Sequence, residues 1–188
     1  MRLDKLTDVQ VEKIYNERMK EDFPANELDP LEVINDAVEQ GNYECLGLME
    51  GEELAGYAFI IKHGKDYLID YLGIFPEWRH HGRWRELVSM VGNYLADAKS
   101  ILGEVENPEF AMNAADKEIR TRRLEFYLTT GFRDTGVRLT YFEAPFIIIE
   151  MMHTPVHSKE EVKSLYEMHY KAFLPEGAFE ENVFMSDR

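Results

Sequence analysis

A single cysteine, Cys45, stands among 188 residues. It can close no intramolecular disulfide and build no thiolate metal cage, so the fold must rest on its apolar core, and a reducing compartment is expected. Basic residues are scarce as well: 21 Lys and Arg face 36 Asp and Glu, a formal charge of −15. Such a surface repels phosphate backbones and anionic lipid headgroups, which argues against nucleic-acid and membrane partners. No long uncharged apolar run occurs, and the opening MRLDKLTDVQ lacks the apolar stretch of a signal peptide. A cytoplasmic protein is the expectation. Repeats and low-complexity tracts are missing. His153, His157 and His169 have no spacing that gathers ligands, so no metal is expected.

What is present is 45% hydrophobic residues, enough for one packed core. Thr7 and Gln10 form a capping box with Leu6 and Val11 as its staple, and Val11, Ile14, Tyr15 and Met19 follow on one helical face up to Pro24. Asp29, Pro30 and Glu32 predict a second helix, with Asp29 as its N-cap and Gly41 at its end. Residues 43–49 and 54–61 read as a hairpin, and 67–75 as a central strand, apolar on both faces apart from Asp70. A helix over 83–99, a strand over 101–106, a helix over 116–130 and a hairpin over 137–152 follow. Ser158 and Glu161 form another capping box, opening a terminal helix with Val162, Leu165 and Phe173 inward. Strand–helix–strand around 67–106 implies a parallel pair with a right-handed crossover. The fold class is α/β (α+β): a mixed sheet with helices on both faces. Residues 1–152 form the domain, and 153–188 a C-terminal helical appendage packed on it, docked on the last hairpin or on the partner subunit of a homodimer.

The strongest local signal is WRHHGRWRELV, residues 78–88. Arg79, His80, His81, Arg83 and Arg85 gather positive charge around Gly82 at a helix start, where free N–H groups add roughly half a positive charge. That arrangement suits a pyrophosphate; a solvated basic loop is the alternative. The segment IDYLGIFPEWRHHGRWRELV resembles motif A of the GNAT superfamily of N-acetyltransferases, a strand followed by Gln/Arg-x-x-Gly-x-Gly/Ala. Arg79 and Gly82 match. Trp84 stands where the motif has a small residue, and His80 replaces an optional glycine. Downstream, ILGEVENPE (101–109) resembles the fifth GNAT strand with its trailing Asn. RRLEFYLTTGF (122–132) resembles the motif B helix through Arg122, Phe126, Tyr127, Gly131 and Phe132. DFPANELDP (22–30) resembles the opening segment of one bacterial branch. Together the resemblance spans about residues 1–152.

The resemblance implies an acetyl-CoA-dependent N-acetyltransferase, with direct attack of a small-molecule or peptide amine through a tetrahedral intermediate. The backbone at Ile74 would align the acetyl-pantetheine arm. Arg79, His80, His81, Gly82, Arg83 and Trp84 would hold the pyrophosphate, and Asn107 would contact the pantetheine. Tyr127 would protonate the departing CoA thiolate, a phenol near 10 and a thiol near 8.5 being close enough for that transfer; core packing is its alternative role. Asp70, interrupting an apolar strand, is the first candidate for general base or ammonium anchor, with hydrogen bonding to a nearby Tyr or Arg as the bland alternative. Glu104 and Glu106 share one face of the next strand. Arg120, Arg122 and Arg123 either meet a nucleotide phosphate or answer Asp116, Glu118 and Glu125. The rival reading is a degenerate fold that binds CoA as a regulatory or interaction module without catalysis.

Overall fold

The computed structural model describes residues 1–79, 82–152 and 155–187. The chain opens with a short strand, β1 (Arg2–Lys5), and enters α1 (Asp8–Ile14) through the expected capping box, with Thr7 and Gln10 satisfying each other's backbone N–H groups. The helix runs on through a π-helical turn (Tyr15–Met19) into α2 (Lys20–Asp22), burying Val11, Ile14, Tyr15 and Met19. α3 (Leu31–Glu39) is capped by Pro30, not by Asp29. The Asp29 carboxylate is buried instead, and accepts hydrogen bonds from Tyr71 at 2.9 Å and Tyr141 at 2.7 Å. Two phenols supplied by distant strands compete better for it than the first helical turn does.

Three antiparallel strands follow, β2 (Tyr43–Glu50), β3 (Glu53–His63) and β4 (Asp66–Ile74). α4 (Arg83–Tyr94) stops five residues short of the expected end. Beyond it the chain is pinned to the turn before β4: Lys65 pairs with Asp97 at 2.7 Å, and the Lys99 N–H donates to the Lys65 carbonyl. β5 (Ser100–Glu106), α5 (Ala114–Thr129), β6 (Phe132–Tyr141) and β7 (Ala144–Met151) come next. Ser158 and Glu161 then form the second capping box and open α6 (Lys159–Phe173). The chain closes with α7 (Ala178–Asn182) and β8 (Val183–Asp187), so the C-terminal segment carries a strand as well as helices.

The strands form one sheet in the order β1-β2-β3-β4-β5-β7-β6-β8. The β4–β5 pair is parallel, as the crossover requires, and its other neighbours are antiparallel. Helices cover both faces. On one, α1 with its π-helical turn, α3 and α6 bury Ile14, Met19, Ile34, Val162, Tyr166, Tyr170 and Phe173 against Tyr43, Phe59 and Leu68. At about 1.5–3 kcal/mol per large apolar side chain, α6 is part of the core. On the other face α4 buries Leu87, Val88 and Val91 against Ile60, Ile69 and Ile101. α5 lies on this face too, yet none of its side chains is fully buried. The space beneath it is the cleft described next. Among the described residues no helix is long and apolar enough to cross a membrane.

Candidate active site

β4 and β5 pair only from Asp66 opposite Ser100 to Ile69 opposite Gly103. Beyond that point Glu104 and Glu106 stay with β7 on their other edge, while Tyr71 to Ile74 stay with β3. A β-bulge makes the divergence possible: Phe59 faces Tyr71 and Ile60 faces Ile69, which leaves Asp70 as the unpaired residue and bends β4 away. The gap opens a cleft of about 770 Å³, within the size range of small-molecule sites. It reaches both faces of the sheet. Trp84, Phe126 and Tyr127 wall it on the α4–α5 side, and Asp70, Glu104, Tyr141 and Tyr170 on the α6 side. Gly73 forms part of the wall; a Cβ there would fall 2.2 Å from the Tyr57 ring, so only glycine lets that ring pass behind it.

The carboxylates of the cleft sort into two groups. Asp22 pairs with Arg79 at 2.7 Å, Asp116 with Arg120 at 2.9 Å, Glu21 with Arg18 at 3.2 Å, and Glu106 with Arg123. Among the described residues, Asp70 and Glu104 line the same cleft with no cation paired to either, while Glu27 feels the charges of Arg120 and Arg123 without a close ion pair. Asp70 is held by the hydroxyl of Tyr43 and lies 3.4 Å from that of Tyr170. Burial, followed by the negative charges of Asp29 and Glu104, raises its carboxyl well above the usual range. Glu104 Oε1 accepts from Tyr166 at 2.6 Å and Tyr170 at 2.8 Å, and burial pushes its carboxyl up to about 7. Glu27 is raised by burial as well.

On the opposite face α4 begins beside the cleft, Trp84 of its first turn being part of the wall. Its N-cap, Gly82, sits at φ +78° with open space where a Cβ would point, and among the described residues no side chain caps the first turn. Amides at a helix start suit an anion. Arg79 donates from Nε to the Ile74 carbonyl at 2.8 Å besides pairing with Asp22. Arg83 is committed to Glu50 and Glu86, both at 2.8 Å. Trp84 packs edge-on to Phe126. His80 and His81 lie outside the described residues.

The structure thus brings Asp70, Arg79, Trp84 and Tyr127 to one cleft. Tyr127 is wedged between Phe126 and Phe132, with its phenol in no hydrogen bond among the described residues. Burial raises its pKa. Ile74 is fully buried off the cleft wall, which Leu72 and Gly73 form instead. Asn107 is buried too; its side chain accepts from the Glu109 N–H at 3.0 Å and caps the short turn Pro108–Phe110, away from the cleft. The arginines of α5 answer carboxylates: Arg120 Asp116, Arg122 Glu118 and Arg123 Glu106. Cys45 is buried and its thiol is pushed up, as befits a packing residue. Sequence reasoning did not find Tyr43, Tyr141, Tyr166 or Tyr170. The one available signal was Tyr166 and Tyr170 at a spacing of four on an apolar helix stripe, since buried phenols need partners.

No protein-family model and no curated protein sequence matches the chain. Solved structures do. A Bacteroides thetaiotaomicron protein of the GNAT family is similar with a TM-score of 0.72 at 20% identity, over 92% of this chain and 98% of its own. The ribosomal-protein-S18-alanine N-acetyltransferase of Escherichia coli follows with a TM-score of 0.59 at 17% identity, over 84% and 96%. An aminoglycoside 6′-N-acetyltransferase complexed with coenzyme A gives 0.57 at 14% identity, over 82% and 98%. Between them the parted parallel strands, the crossover helix and the cleft beneath α5 have one explanation: the chain has the fold of the GNAT acetyltransferases.

Proposed function

We propose that the protein is an acetyl-CoA-dependent N-acetyltransferase whose acceptor is a cationic amine, free or at the end of a peptide. What supports this reading is the polarity of one cleft that reaches both faces of the sheet. At one end Asp70 and Glu104 have no cation paired to them among the described residues. At the other lie the start of α4, Arg79 and the phenol of Tyr127, the helix start and the phenol both without a side-chain partner among the described residues. An ammonium group suits the first end and an anionic cosubstrate the second.

Acetyl-CoA supplies an activated acyl group as a thioester. The α4 amides at Gly82 and the Arg79 guanidinium would hold its pyrophosphate, and the parted edges of β4 and β5 would flank its arm. Asp70 and Glu104 attract the ammonium, helped over longer range by a net charge of −15. Tyr127 gives its proton to the departing thiolate. Structural neighbours named for an S18 alanine and for an aminoglycoside 6′ nitrogen are consistent with amine acceptors in general. The reading sets the protein in the cytoplasm, in keeping with a chain whose single thiol is buried.

Trp84 favours a second reading, a non-catalytic CoA-binding module, because its indole takes cleft space against Phe126. Calorimetry with CoA and acetyl-CoA, together with thiol release in the presence of amines, separates the two. Binding that weakens with salt and thiol release that requires an amine are expected. Binding without turnover of any amine returns the module, and no binding at low salt removes both.

A further inference from the structure

We propose that Asp70 and Glu104 form one proton-sharing unit, joined through the Tyr170 hydroxyl of α6, and that this unit takes the proton from the acceptor ammonium. The proposal rests on the acetyltransferase reading for the identity of the proton donor, and on hydroxyl geometry for the unit itself.

Each phenol has one proton to give. Tyr170 Oη lies 2.8 Å from Glu104 Oε1 and 3.4 Å from Asp70 Oδ1, so its proton goes to Glu104. Tyr166 donates to the same Glu104 oxygen at 2.6 Å. Glu104, with two donors on one oxygen, is the ionised member. The 3.4 Å approach of Tyr170 to Asp70 is long for a hydrogen bond, and with the Tyr170 proton on Glu104 it can tighten into one only when Asp70 holds a proton on Oδ1 and donates it. Tyr43 donates to the other Asp70 oxygen, Oδ2. Every proton is used once, and the unit carries a single negative charge.

The surroundings enforce that count. The titratable groups facing the pair are Tyr43 and Cys45 of β2, Tyr71 of β4, Glu27 and Asp29 ahead of α3, Tyr141 of β6 and Tyr166 of α6. None of them is a cation. A second full charge would stand unpaired in a buried site beside Asp29, whose carboxylate Tyr71 and Tyr141 already occupy. Burial raises the carboxyls of Asp29, Asp70 and Glu104 alike; the two hydroxyls on Asp29 act against its rise, and the Tyr170 hydroxyl lies between the other two.

In the reaction an N–H bond of the acceptor ammonium breaks and an O–H bond forms on Glu104 Oε2, the oxygen no tyrosine occupies. The electron pair stays on nitrogen for attack on the thioester, and the unit becomes neutral. Glu104 is the catalytic residue; Asp70 and Tyr170 are positioning residues that fix its charge. The C-terminal helix is thereby part of the acceptor site.

The test has two arms on the full chain. Carbon-13 NMR of Asp and Glu carboxyls, without substrate, should show Asp70 and Glu104 titrating together, each in two steps. Tyr170→Phe, which keeps the ring, should separate them into independent single steps, while Tyr166→Phe keeps them joined. Independent titration in the wild type overturns the unit. In the second arm, kcat/KM for 1,4-diaminobutane and for an alanine-initiated peptide is followed against pH. Tyr170→Phe should move the acid limb by about one pH unit or more. An unmoved limb with normal turnover overturns the catalytic role and leaves the acetyltransferase reading standing. Joint titration with no thiol release from either amine supports the shared proton and counts against the acetyltransferase reading.

Discussion

Asp22 and Arg79, 57 residues apart, form an ion pair of 2.7 Å on the wall of the cleft. Asp22 is fixed by Tyr57, which donates to its second oxygen at 3.1 Å, and Arg79 by the Ile74 carbonyl. The carboxylate thus occupies the guanidinium that a pyrophosphate would use. Asp22→Asn keeps an acceptor for Tyr57 and removes the competing charge. CoA should then bind several-fold tighter in calorimetry, up to about tenfold or roughly 1.4 kcal/mol, with a steeper loss on adding salt. Unchanged affinity would leave Arg79 as a brace for the loop after β4.

Tyr127 tests the chemistry at the opposite end. Its hydroxyl makes no hydrogen bond among the described residues, while its ring is held by Phe126 and Phe132. Tyr127→Phe should therefore leave stability within about 0.5 kcal/mol of wild type. Amine-dependent thiol release should fall at least about tenfold, or roughly 1.4 kcal/mol of transition-state stabilisation. Affinity for acetyl-CoA should barely move, because the proposed proton donation serves the developing thiolate. Full turnover with a rate-limiting chemical step would reduce Tyr127 to packing.

Much of this architecture is legible because it is local. Thr7 with Gln10 and Ser158 with Glu161 are pairs three residues apart, and both boxes form. Asp70 is visible as the break in an apolar strand. Its partners Tyr43 and Tyr170, 27 and 100 residues away, are not. Asp29 shows the limit most clearly: the local pattern reads as a helix cap, and two tyrosines 42 and 112 residues downstream claim its carboxylate. The edge strands RLDK and VFMSD are too short and polar to announce themselves without the strands they pair with. The position of the cleft wall, at Leu72 and Gly73, follows from a one-residue bulge that no periodicity reports.

Glu104 should cost stability at the pH where it works. Its folded carboxyl sits at about 7 against an ordinary 4.5, because burial disfavours the charge. A raised acid contributes stability below the unfolded value and loses it as pH rises through the folded value. The window is therefore pH 4.5 to 7, and the loss above it is up to about 3 kcal/mol. Glu104→Gln should be closer to wild type at pH 4.5 and more stable than wild type at pH 8, in urea melts at each pH. Acetylation should be lost at both. A stability difference that does not grow across this window would show that Glu104 is not a strained, buried acid.

His169 acts in the opposite direction. It is fully buried on α6, neither ring nitrogen has a partner among the described residues, and burial lowers its pKa to about 4. The folded protein therefore refuses a proton that the unfolded chain accepts below its ordinary 6.5. At neutral pH the neutral ring costs nothing through protonation. As pH falls from 6.5 to 4 the unfolded state gains about 1.4 kcal/mol per pH unit, or roughly 2 kcal/mol at pH 5. His169→Leu removes that gain and two unpartnered polar atoms, at the expense of ring packing. Relative to wild type, the variant should be about 2 kcal/mol better off at pH 5 than at pH 8. Because α6 also presents Tyr166 and Tyr170 to Glu104, the acidic loss should loosen the acceptor end of the cleft along with the core. Urea midpoints that fall in parallel for wild type and variant between pH 7 and 5 would show that the ring takes up its proton while folded.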